Sequence, residues 1–276
     1  LLMESQYICI HGHFYQPPRE NPWLEEIEME DSAYPYPNWN ERITEECYGA
    51  NAFCRLMNAP RKSVEIISNY TQISFNFGPT LLSWMERKHP EIYRTILEAD
   101  QESQRKFSGH GAALAQVYNH IVMPLASSRD KKTQVLWGIK DFEHRFKRKP
   151  EGMWLPETAV DLETLDILSE SGIRFTILAP HQASYTKSVS DVEWKDVRGG
   201  GVDPTQPYLC RLPSGRSIVL FFYHGPLAHG VAFGGLLNNG EELAQRFGDT
   251  LNSPMDTTIP SLLHIATDGE TYGHHH

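Results

Sequence analysis

The chain lacks any apolar run close to the ~20 residues that a membrane-spanning helix requires. It also lacks a glycine-rich phosphate-binding loop, a nucleophilic serine elbow and a dinucleotide-binding fingerprint. Cysteine is scarce, and the four cysteines form no Cys-x-x-Cys pair, which argues against a disulfide framework. The missing motifs argue against a nucleotide-hydrolysing enzyme with a phosphate-binding loop, a serine hydrolase and a dinucleotide-dependent dehydrogenase. The cysteine pattern predicts free thiols in a reducing, cytoplasmic location.

Positive charge is also in short supply. Lysine and arginine together number 25 against 35 aspartates and glutamates, so the net charge is −10. This balance disfavours nucleic acid and anionic membranes as partners. The 40% hydrophobic content and the length of 276 residues suit one large globular α/β domain. Because no linker or low-complexity segment interrupts the chain, we expect residues 1–276 to form a single domain.

Two short acidic segments are the features around which the chain is organised. The segment from Gly152 to Glu157 reads Gly-Met-Trp-Leu-Pro-Glu, an apolar run that stops at a proline and a carboxylate. Because Pro156 cannot donate to a strand ladder, Glu157 is predicted to stand at the carboxyl end of a short buried strand. The segment from Ile265 to Glu270 has the same form near the end of the chain. Two carboxylates delivered to one place are typical of a hydrolase.

Seven apolar runs of the chain are each followed by polar residues. These residues are His11 and His13, Asn76, Asn119 and His120, Glu157, His181 and Gln182, His224, and Asp268. Helical patterns separate the runs, and strand–helix alternation predicts a parallel sheet. A closed or nearly closed α/β barrel would gather all of these polar residues on one face. Residues 184–217 break the alternation and are predicted to form an irregular or hairpin excursion.

The segment from Arg19 to Asn40 has no periodicity and is rich in proline, tryptophan and tyrosine. Ordered loops of this length are usually functional. Aromatic side chains such as Trp23 could stack on sugar rings, although a loop packed on the surface explains the same composition equally well. After the loop, a 3.6-residue apolar stripe predicts one core helix from Glu41 to Met57, capped by Asn40.

The two carboxylates allow more than one interpretation. Glycoside hydrolysis needs one carboxyl group to protonate the leaving oxygen and, in retaining enzymes, a second to attack the anomeric carbon. Glu157 could instead be a carboxylate at a helix N-terminus, which the helix dipole favours. Asp268-Gly269 is also a common hairpin turn, and Glu270 competes with Asp268 for the acid role.

The pair His11-x-His13 offers a different chemistry at the same face. Two histidines after a first strand are typical of metal-dependent hydrolases of the amidohydrolase type. The remaining ligands of such a site would come from His181, His224, His264 and Asp268. Neutral imidazoles suit Zn²⁺, which would activate a water molecule.

Four short regions resemble those of glycoside hydrolase family 57, whose members act on α-glucans as amylases, glucanotransferases and branching enzymes. The first family motif, His-x-His-Gln-Pro, is similar to His13-Phe14-Tyr15-Gln16-Pro17, or to His11 and His13 with two residues inserted. Ser74 to Gly78 is a weaker second match. Gly152 to Glu157 matches the third region, and Asp268-Gly269-Glu270-x-x-Gly273 matches the fourth.

The resemblance implies a fold, a reaction and roles for residues. The fold would be an incomplete (β/α)7 barrel, and the reaction a retaining hydrolysis or transglycosylation of α-glucan without metal or cofactor. Glu157 would be the nucleophile and Asp268 the general acid/base. The candidate substrate-binding residues are His11, His13, Gln16, Trp23, Trp154, His181, His224 and Glu270. A catalytically inactive carbohydrate-binding relative remains an alternative, as does the metal-dependent hydrolase.

The end of the chain carries two further expectations. Family members usually continue into a helical segment after the fourth region, so we expect this chain to be truncated before it. The three terminal histidines are expected to be native and to belong to the Asp268 segment rather than to a tag.

Overall fold

A computed structural model describes residues 6–57, 63–251 and 260–276 of the chain. In chain order its strands are β1 (Gln6–Phe14), β2 (Cys54–Met57), β3 (Ser63–Ile67), β4 (Ser74–Phe77), β5 (Ala115–Gln116), β6 (Met153–Trp154), β7 (Phe175–Leu178), β8 (Tyr185–Thr186), β9 (Lys195–Asp196), β10 (Tyr208–Arg211), β11 (Ser217–Phe222) and β12 (Ser261–Asp268). The α-helices are α1 (Trp39–Ile43), α2 (Gly49–Ala52), α3 (Pro79–Lys88), α4 (Pro90–Lys106), α5 (Ser128–Phe146), α6 (Leu162–Glu170), α7 (Gly225–Phe233) and α8 (Gly240–Leu251).

Seven of the strands form an open ring in the order β12, β1, β4, β5, β6, β7, β11. Parallel ladders join β12 to β1, β1 to β4, β5 to β6 and β7 to β11. Parallel bridges from Phe75 to Ala113 and from Gly152 to Phe175 connect the remaining neighbours. Within the described ranges no ladder links β11 to β12. At this gap the His224 N–H, just after β11, donates to the His264 carbonyl of β12 at 2.8 Å. This is the predicted incomplete barrel of seven strands.

The helices between the strands begin at residues that suit a helix start. Pro79 and Pro90 occupy the first positions of α3 and α4, where a missing N–H costs nothing. The side chains of Ser127 and Asp161 accept hydrogen bonds from backbone N–H groups three residues later and cap α5 and α6. Among the described residues, no helix combines the length and the apolar character needed to cross a membrane.

Aromatic packing fixes the base of the turn that follows β12. Phe14 is fully buried and packs against Tyr70 and Phe77, with ring centroids 5.4 and 4.7 Å apart. Its ring lies directly beneath Gly269, because a Cβ added there would come within 2.2 Å of the ring. Only glycine therefore fits at this position beside Asp268, and the end of β12 is held against the core.

Strand β1 is longer than the apolar run predicts, because His11 and His13 were expected to follow the strand and the loop begins only after Phe14. Both His11 and His13 lie within the strand, which ends at Phe14. The extension is possible because β1 pairs on both sides, with β12 over its whole length to His13 and with β4 from His11 onward. The polar residues after Ile10 suggest the end of a strand. Backbone hydrogen bonds to the two neighbouring strands extend β1 past them, and the local sequence does not reveal those bonds.

The single helix predicted from Glu41 to Met57 is wrong in its second half. The chain forms α1, a π turn over Thr44–Tyr48 and α2, and Asn38 rather than Asn40 accepts the capping hydrogen bond. The wider π turn shifts the apolar stripe out of its 3.6-residue register. Residues Cys54–Met57 then form β2, which pairs antiparallel with β3, so Cys47 and Cys54 do not share a helical face.

The excursion over residues 184–217 contains antiparallel pairs, as the hairpin prediction implied. Strand β8 pairs with β9, and β10 pairs with β11 in a hairpin that brings the chain back to the barrel. Strand β11 is therefore both an arm of the hairpin and a strand of the barrel wall. The excursion is thus anchored to the ring.

Helix α5 approaches the barrel so closely that it requires a glycine. A Cβ added at Gly138 would lie 2.0 Å from the Gln116 carbonyl oxygen of β5. We expect Gly138→Ala to lower the free energy of unfolding by about 1–3 kcal/mol, which outweighs the roughly 1 kcal/mol by which alanine is preferred in helices. Urea denaturation measures the difference.

Gly248 in α8 provides the matched control, because nothing lies within 4 Å of the corresponding added Cβ. Gly248→Ala is expected to raise the free energy of unfolding by about 0.5–1 kcal/mol through helix propensity alone. A Gly138→Ala protein as stable as Gly248→Ala would contradict the close approach of α5 to β5.

Candidate active site

The carboxyl ends of several barrel strands surround an open cavity of about 580 Å³. Its lining consists of His13, Tyr15, Gln16, Arg19, Trp39, Ile43, His120, Glu157, Asp268, Glu270, His274 and His275. These residues come from β1 and the loop after it, from α1, from the end of β12, and from the segments that follow β5, β6 and β12. Side chains far apart in the sequence therefore meet at one end of the barrel.

Glu157 reaches the cavity from a short 3₁₀ turn, Pro156–Thr158, that follows β6. Its backbone has φ 57° and ψ 15°, in the left-handed region that non-glycine residues seldom adopt. Such a conformation costs roughly 1–3 kcal/mol and is concentrated at functional sites. Helix α6 starts only at Leu162 and is capped by Asp161, so Asp161 rather than Glu157 is the carboxylate at the helix N-terminus.

Asp268 is the last residue of β12 and lies opposite His13 in the parallel register. Burial raises the pKa of its carboxyl group, and the negative charge of Glu157 raises it further. His120 and His275 act in the opposite direction. Although Asp268 is open to solvent on the cavity side, it keeps its proton to a higher pH than a fully hydrated aspartic acid, which is the property that a general acid requires.

Glu270 is a buried carboxyl group beside Asp268, in the 3₁₀ turn Gly269–Thr271 that takes the place of a hairpin after β12. The Tyr48 hydroxyl donates to its Oε1 at 2.6 Å, and the Tyr15 N–H donates to the same oxygen at 3.1 Å. Burial raises the pKa of Glu270 to about 7, although these hydrogen bonds lower it. Glu270 is therefore a second carboxyl group that can hold a proton near neutral pH.

We expect Tyr48→Phe to raise the pKa of Glu270 above its value of about 7, because the variant removes the phenol that donates to the carboxylate. The carboxyl ¹³C shift of Glu270, followed by NMR through a pH titration, measures this pKa directly. A pKa at or below the wild-type value would contradict the role of the phenol.

The raised pKa of Glu270 also fixes the sign of a stability change. The folded-state pKa lies above the ordinary value of 4.5, so the folded protein binds the proton more tightly than the unfolded chain. The contribution of Glu270 to the free energy of unfolding is therefore lost as pH rises from about 4.5 to about 7. Glu270→Gln is the control in which this part of the pH dependence should disappear.

Two histidines of β1 belong to a chain of hydrogen bonds beneath the cavity. His11 Nδ1 lies 2.9 Å from Ser74 Oγ, and its Nε2 lies 3.0 Å from Asn76 Oδ1. His13 Nδ1 lies 2.9 Å from Asn76 Nδ2, and its Nε2 lies 3.0 Å from His120 Nε2. Burial lowers the pKa of His11 to about 4 and that of His13 to about 3, so both are neutral at physiological pH.

Trp154 supports these histidines from within the barrel rather than from the cavity lining. Its ring stacks on His11 and His13, with centroids 5.1 and 5.0 Å apart. Both nitrogens of each histidine already have hydrogen-bond partners. In the part of the chain that the structure describes, no three histidine, cysteine or acidic side chains are grouped to hold a metal ion. This arrangement does not favour the metal-dependent alternative.

Five predicted substrate-binding residues lie outside the cavity lining; besides His11 and Trp154 within the barrel, these are Trp23, His181 and His224. Trp23 is 91% exposed on the loop after β1, and His181 is exposed on the 3₁₀ turn Pro180–Gln182. His224 caps α7, where its Nδ1 accepts from the Leu227 N–H at 3.1 Å. Of the other predicted residues, His13, Gln16 and Glu270 line the cavity together with the two carboxylates, and His11 lies beneath it.

Several lining residues were not among the predicted site residues. His120 follows β5. Its position after an apolar run indicated that it lies at the mouth of the barrel, but it was not among the predicted substrate-binding residues. Trp39 lies in the aromatic segment where Trp23 was preferred, and its ring contacts His274 edge-on at 5.8 Å. Ile43 was predicted to belong to the core, and its side chain is buried there, although it also borders the cavity. His274 and His275 also line the cavity, next to the Asp268 segment.

A sequence profile of glycosyl hydrolase family 57 matches residues 7–276. The chain belongs to this family. Alpha-amylase 1 of Dictyoglomus thermophilum is 26% identical to it over 106 residues, which are 38% of this chain and 15% of that protein. The family assignment rests on the match along almost the whole chain rather than on this short alignment.

Solved structures share the family 57 barrel. The 4-alpha-glucanotransferase of Thermococcus litoralis superposes with a TM-score of 0.62 at 17% identity, over 97% of this chain and 33% of that one. The GH57-type branching enzyme of Pyrococcus horikoshii gives 0.61 at 16% identity, over 98% and 64%. The chain thus spans about a third to two thirds of these structures, and at such identities the likeness concerns the fold.

Proposed function

We propose that this family 57 chain catalyses retaining hydrolysis or transglycosylation of α-linked glucans. The proposal rests on one observation: Glu157 and Asp268 line the same cavity, and the charge of one raises the pKa of the other. They come from β6 and β12, which are separated by three strands on one side of the ring and two on the other. The two carboxyl groups therefore enter the same cavity from opposite sides of the ring.

The environments of the two carboxyl groups suit different roles. Asp268, with its raised pKa, donates its proton to the glycosidic oxygen while the Glu157 carboxylate attacks the anomeric carbon. The C–O bond to the leaving sugar breaks, and a glycosyl ester forms on Glu157. The Asp268 carboxylate then removes a proton from water or from a sugar hydroxyl, which attacks the anomeric carbon and releases Glu157.

The rest of the cavity fits a carbohydrate. Trp39 is half-buried in the lining and offers an apolar surface to the C–H faces of a sugar ring. Arg19, Gln16 and the lining histidines offer hydrogen-bond partners for hydroxyl groups. The choice of α-glucan follows the relatives, which are named as an amylase, a glucanotransferase and a branching enzyme.

The test uses the natural protein that carries this sequence and a panel of α- and β-linked oligosaccharides. We expect turnover of α-glucans alone, and ¹H NMR of the first products should show the α-anomer before mutarotation. A β-anomeric first product would contradict retention. Maltooligosaccharide binding without turnover would contradict catalysis and support the carbohydrate-binding alternative.

A further inference from the structure

In the chain of hydrogen bonds beneath the cavity, Asn76 determines which group of each pair donates and which accepts. This order of donors and acceptors is the direction of the chain. The amide nitrogen of Asn76 donates one hydrogen to Gln116 Oε1 at 2.7 Å and the other to His13 Nδ1 at 2.9 Å. Its carbonyl oxygen faces His11 Nε2 at 3.0 Å. Asn76 is fully buried, so bulk water does not compete for these hydrogen bonds.

The position of each proton follows from this arrangement. Because His13 Nδ1 accepts from Asn76, the proton of the neutral His13 ring must be on Nε2. That Nε2–H points at His120 Nε2, 3.0 Å away, which must then be the acceptor. His120 is left with its proton on Nδ1, although a free neutral imidazole prefers the Nε2–H form.

We propose that Asn76, acting through His13, holds His120 as a neutral Nδ1–H imidazole between Glu157 and Asp268. Asn76 and His13 are therefore positioning residues for the reaction, and the functional part of this inference rests on the proposed glycosidase activity. The geometry opposes protonation of His120, because an added proton on its Nε2 would face the Nε2–H of His13. The direction of the hydrogen-bond chain thus keeps positive charge away from the two carboxyl groups.

A neutral His120 preserves the proton on Asp268. Asp268 faces four titratable neighbours, namely Glu157, His120, His275 and Glu270. Glu157 raises the pKa of Asp268 and the histidines lower it, so an imidazolium at position 120 would favour loss of the proton that Asp268 must donate. Tyr15 stacks on the His120 ring with centroids 4.0 Å apart and restrains it in this orientation.

The first experiment reads the tautomers without any need for activity. Protein labelled with ¹⁵N at histidine is examined by long-range ¹H–¹⁵N correlation near neutral pH, and His13→Gln and His120→Gln assign the signals. We expect Nε2–H for His13 and Nδ1–H for His120. An Nε2–H form of His120 in the wild-type protein overturns the proposal, whether or not the protein turns over glucan.

The second experiment reverses the direction. Asn76→Asp offers only acceptor oxygens, so His13 must present Nδ1–H and accept at Nε2, and His120 must donate from Nε2. We expect both tautomers to invert. Asn119→Asp is the matched control, because it makes the same change beside His120 at an exposed residue outside the hydrogen-bond chain, and it should keep the wild-type tautomers. Unchanged tautomers in Asn76→Asp overturn the proposal.

The same variant links the tautomers to the reaction. The new carboxylate favours an imidazolium in the His13–His120 pair, so the basic limb of kcat/KM should move to lower pH by about one unit. A limb that stays in place while the tautomers invert overturns the link to Asp268. If the wild-type protein proves inactive on glucans, the proposed function fails while the wild-type spectrum still decides the tautomers. The wild-type spectrum also decides them if Asn76→Asp does not fold.

Discussion

Glu157→Ala should lower kcat on an α-glucan by roughly 10³-fold or more, since removal of a nucleophile leaves only binding and electrostatic contributions. Azide should restore part of the rate, because this small anion fits the space left by the carboxylate and attacks the anomeric carbon from the same side. The product would be a glycosyl azide whose anomeric configuration is inverted relative to the substrate. Hydrolysis rates and NMR of the azide product measure both effects.

Glu170→Ala is the matched control for the nucleophile. Glu170 is an exposed glutamate at the C-terminal end of α6, the helix that follows the Glu157 turn, and it makes only surface ion pairs with Lys132 and Arg216. Surface ion pairs contribute little to stability, so activity should remain at the wild-type level. A Glu157→Ala protein as active as Glu170→Ala would refute the assignment of the nucleophile.

Asp268→Asn should lower kcat/KM by roughly 10²–10⁴-fold on glucans, the range typical of a lost general acid. The loss should be much smaller on aryl glucosides whose leaving group needs no proton. In the wild-type protein the rate should fall as pH rises through the pKa of Asp268, which is raised by burial and by Glu157. Asparagine does not titrate, so the basic limb of the pH profile should vanish in the variant.

Glu270→Gln separates the two candidate acids. If Asp268 donates the proton, this variant keeps the basic limb, although its position shifts because a neighbouring carboxyl group is gone. Loss of the limb in Glu270→Gln, with its retention in Asp268→Asn, would reverse the assignment. The pKa of about 7 at Glu270 makes this comparison necessary.

The arrangement of parallel strands explains why the sequence predicted the barrel and the meeting of Glu157 with Asp268. A polar residue after an apolar run lies at the carboxyl end of a strand even when the strand is only two residues long, as β6 is. Parallel pairing then brings such ends to one face. Errors of several residues in strand boundaries, as in β1, do not change which side chains reach that face.

The periodicity of apolar residues does not predict the conformation of a segment that depends on contacts with residues distant in the sequence. The stripe from Ile43 to Met57 has helical periodicity, but the π turn and the pairing of β2 with β3 decide the outcome. His11 was predicted to contact the substrate, and only the contacts with Ser74, Asn76 and Trp154 show that it lies beneath the cavity. Periodicity carries no information about such contacts.

The pairing of β1 with β12 ties the first strand of the chain to the last, and it brings Tyr15 to Glu270, 255 residues further along. During translation, the β12-facing edge of β1 must therefore wait without its native partner until the segment through Asp268 has left the ribosome. Unpaired strand edges promote aggregation, and contacts of such high sequence separation form slowly. The β12-facing edge of β1 is thus a site of aggregation risk until β12 has been synthesised.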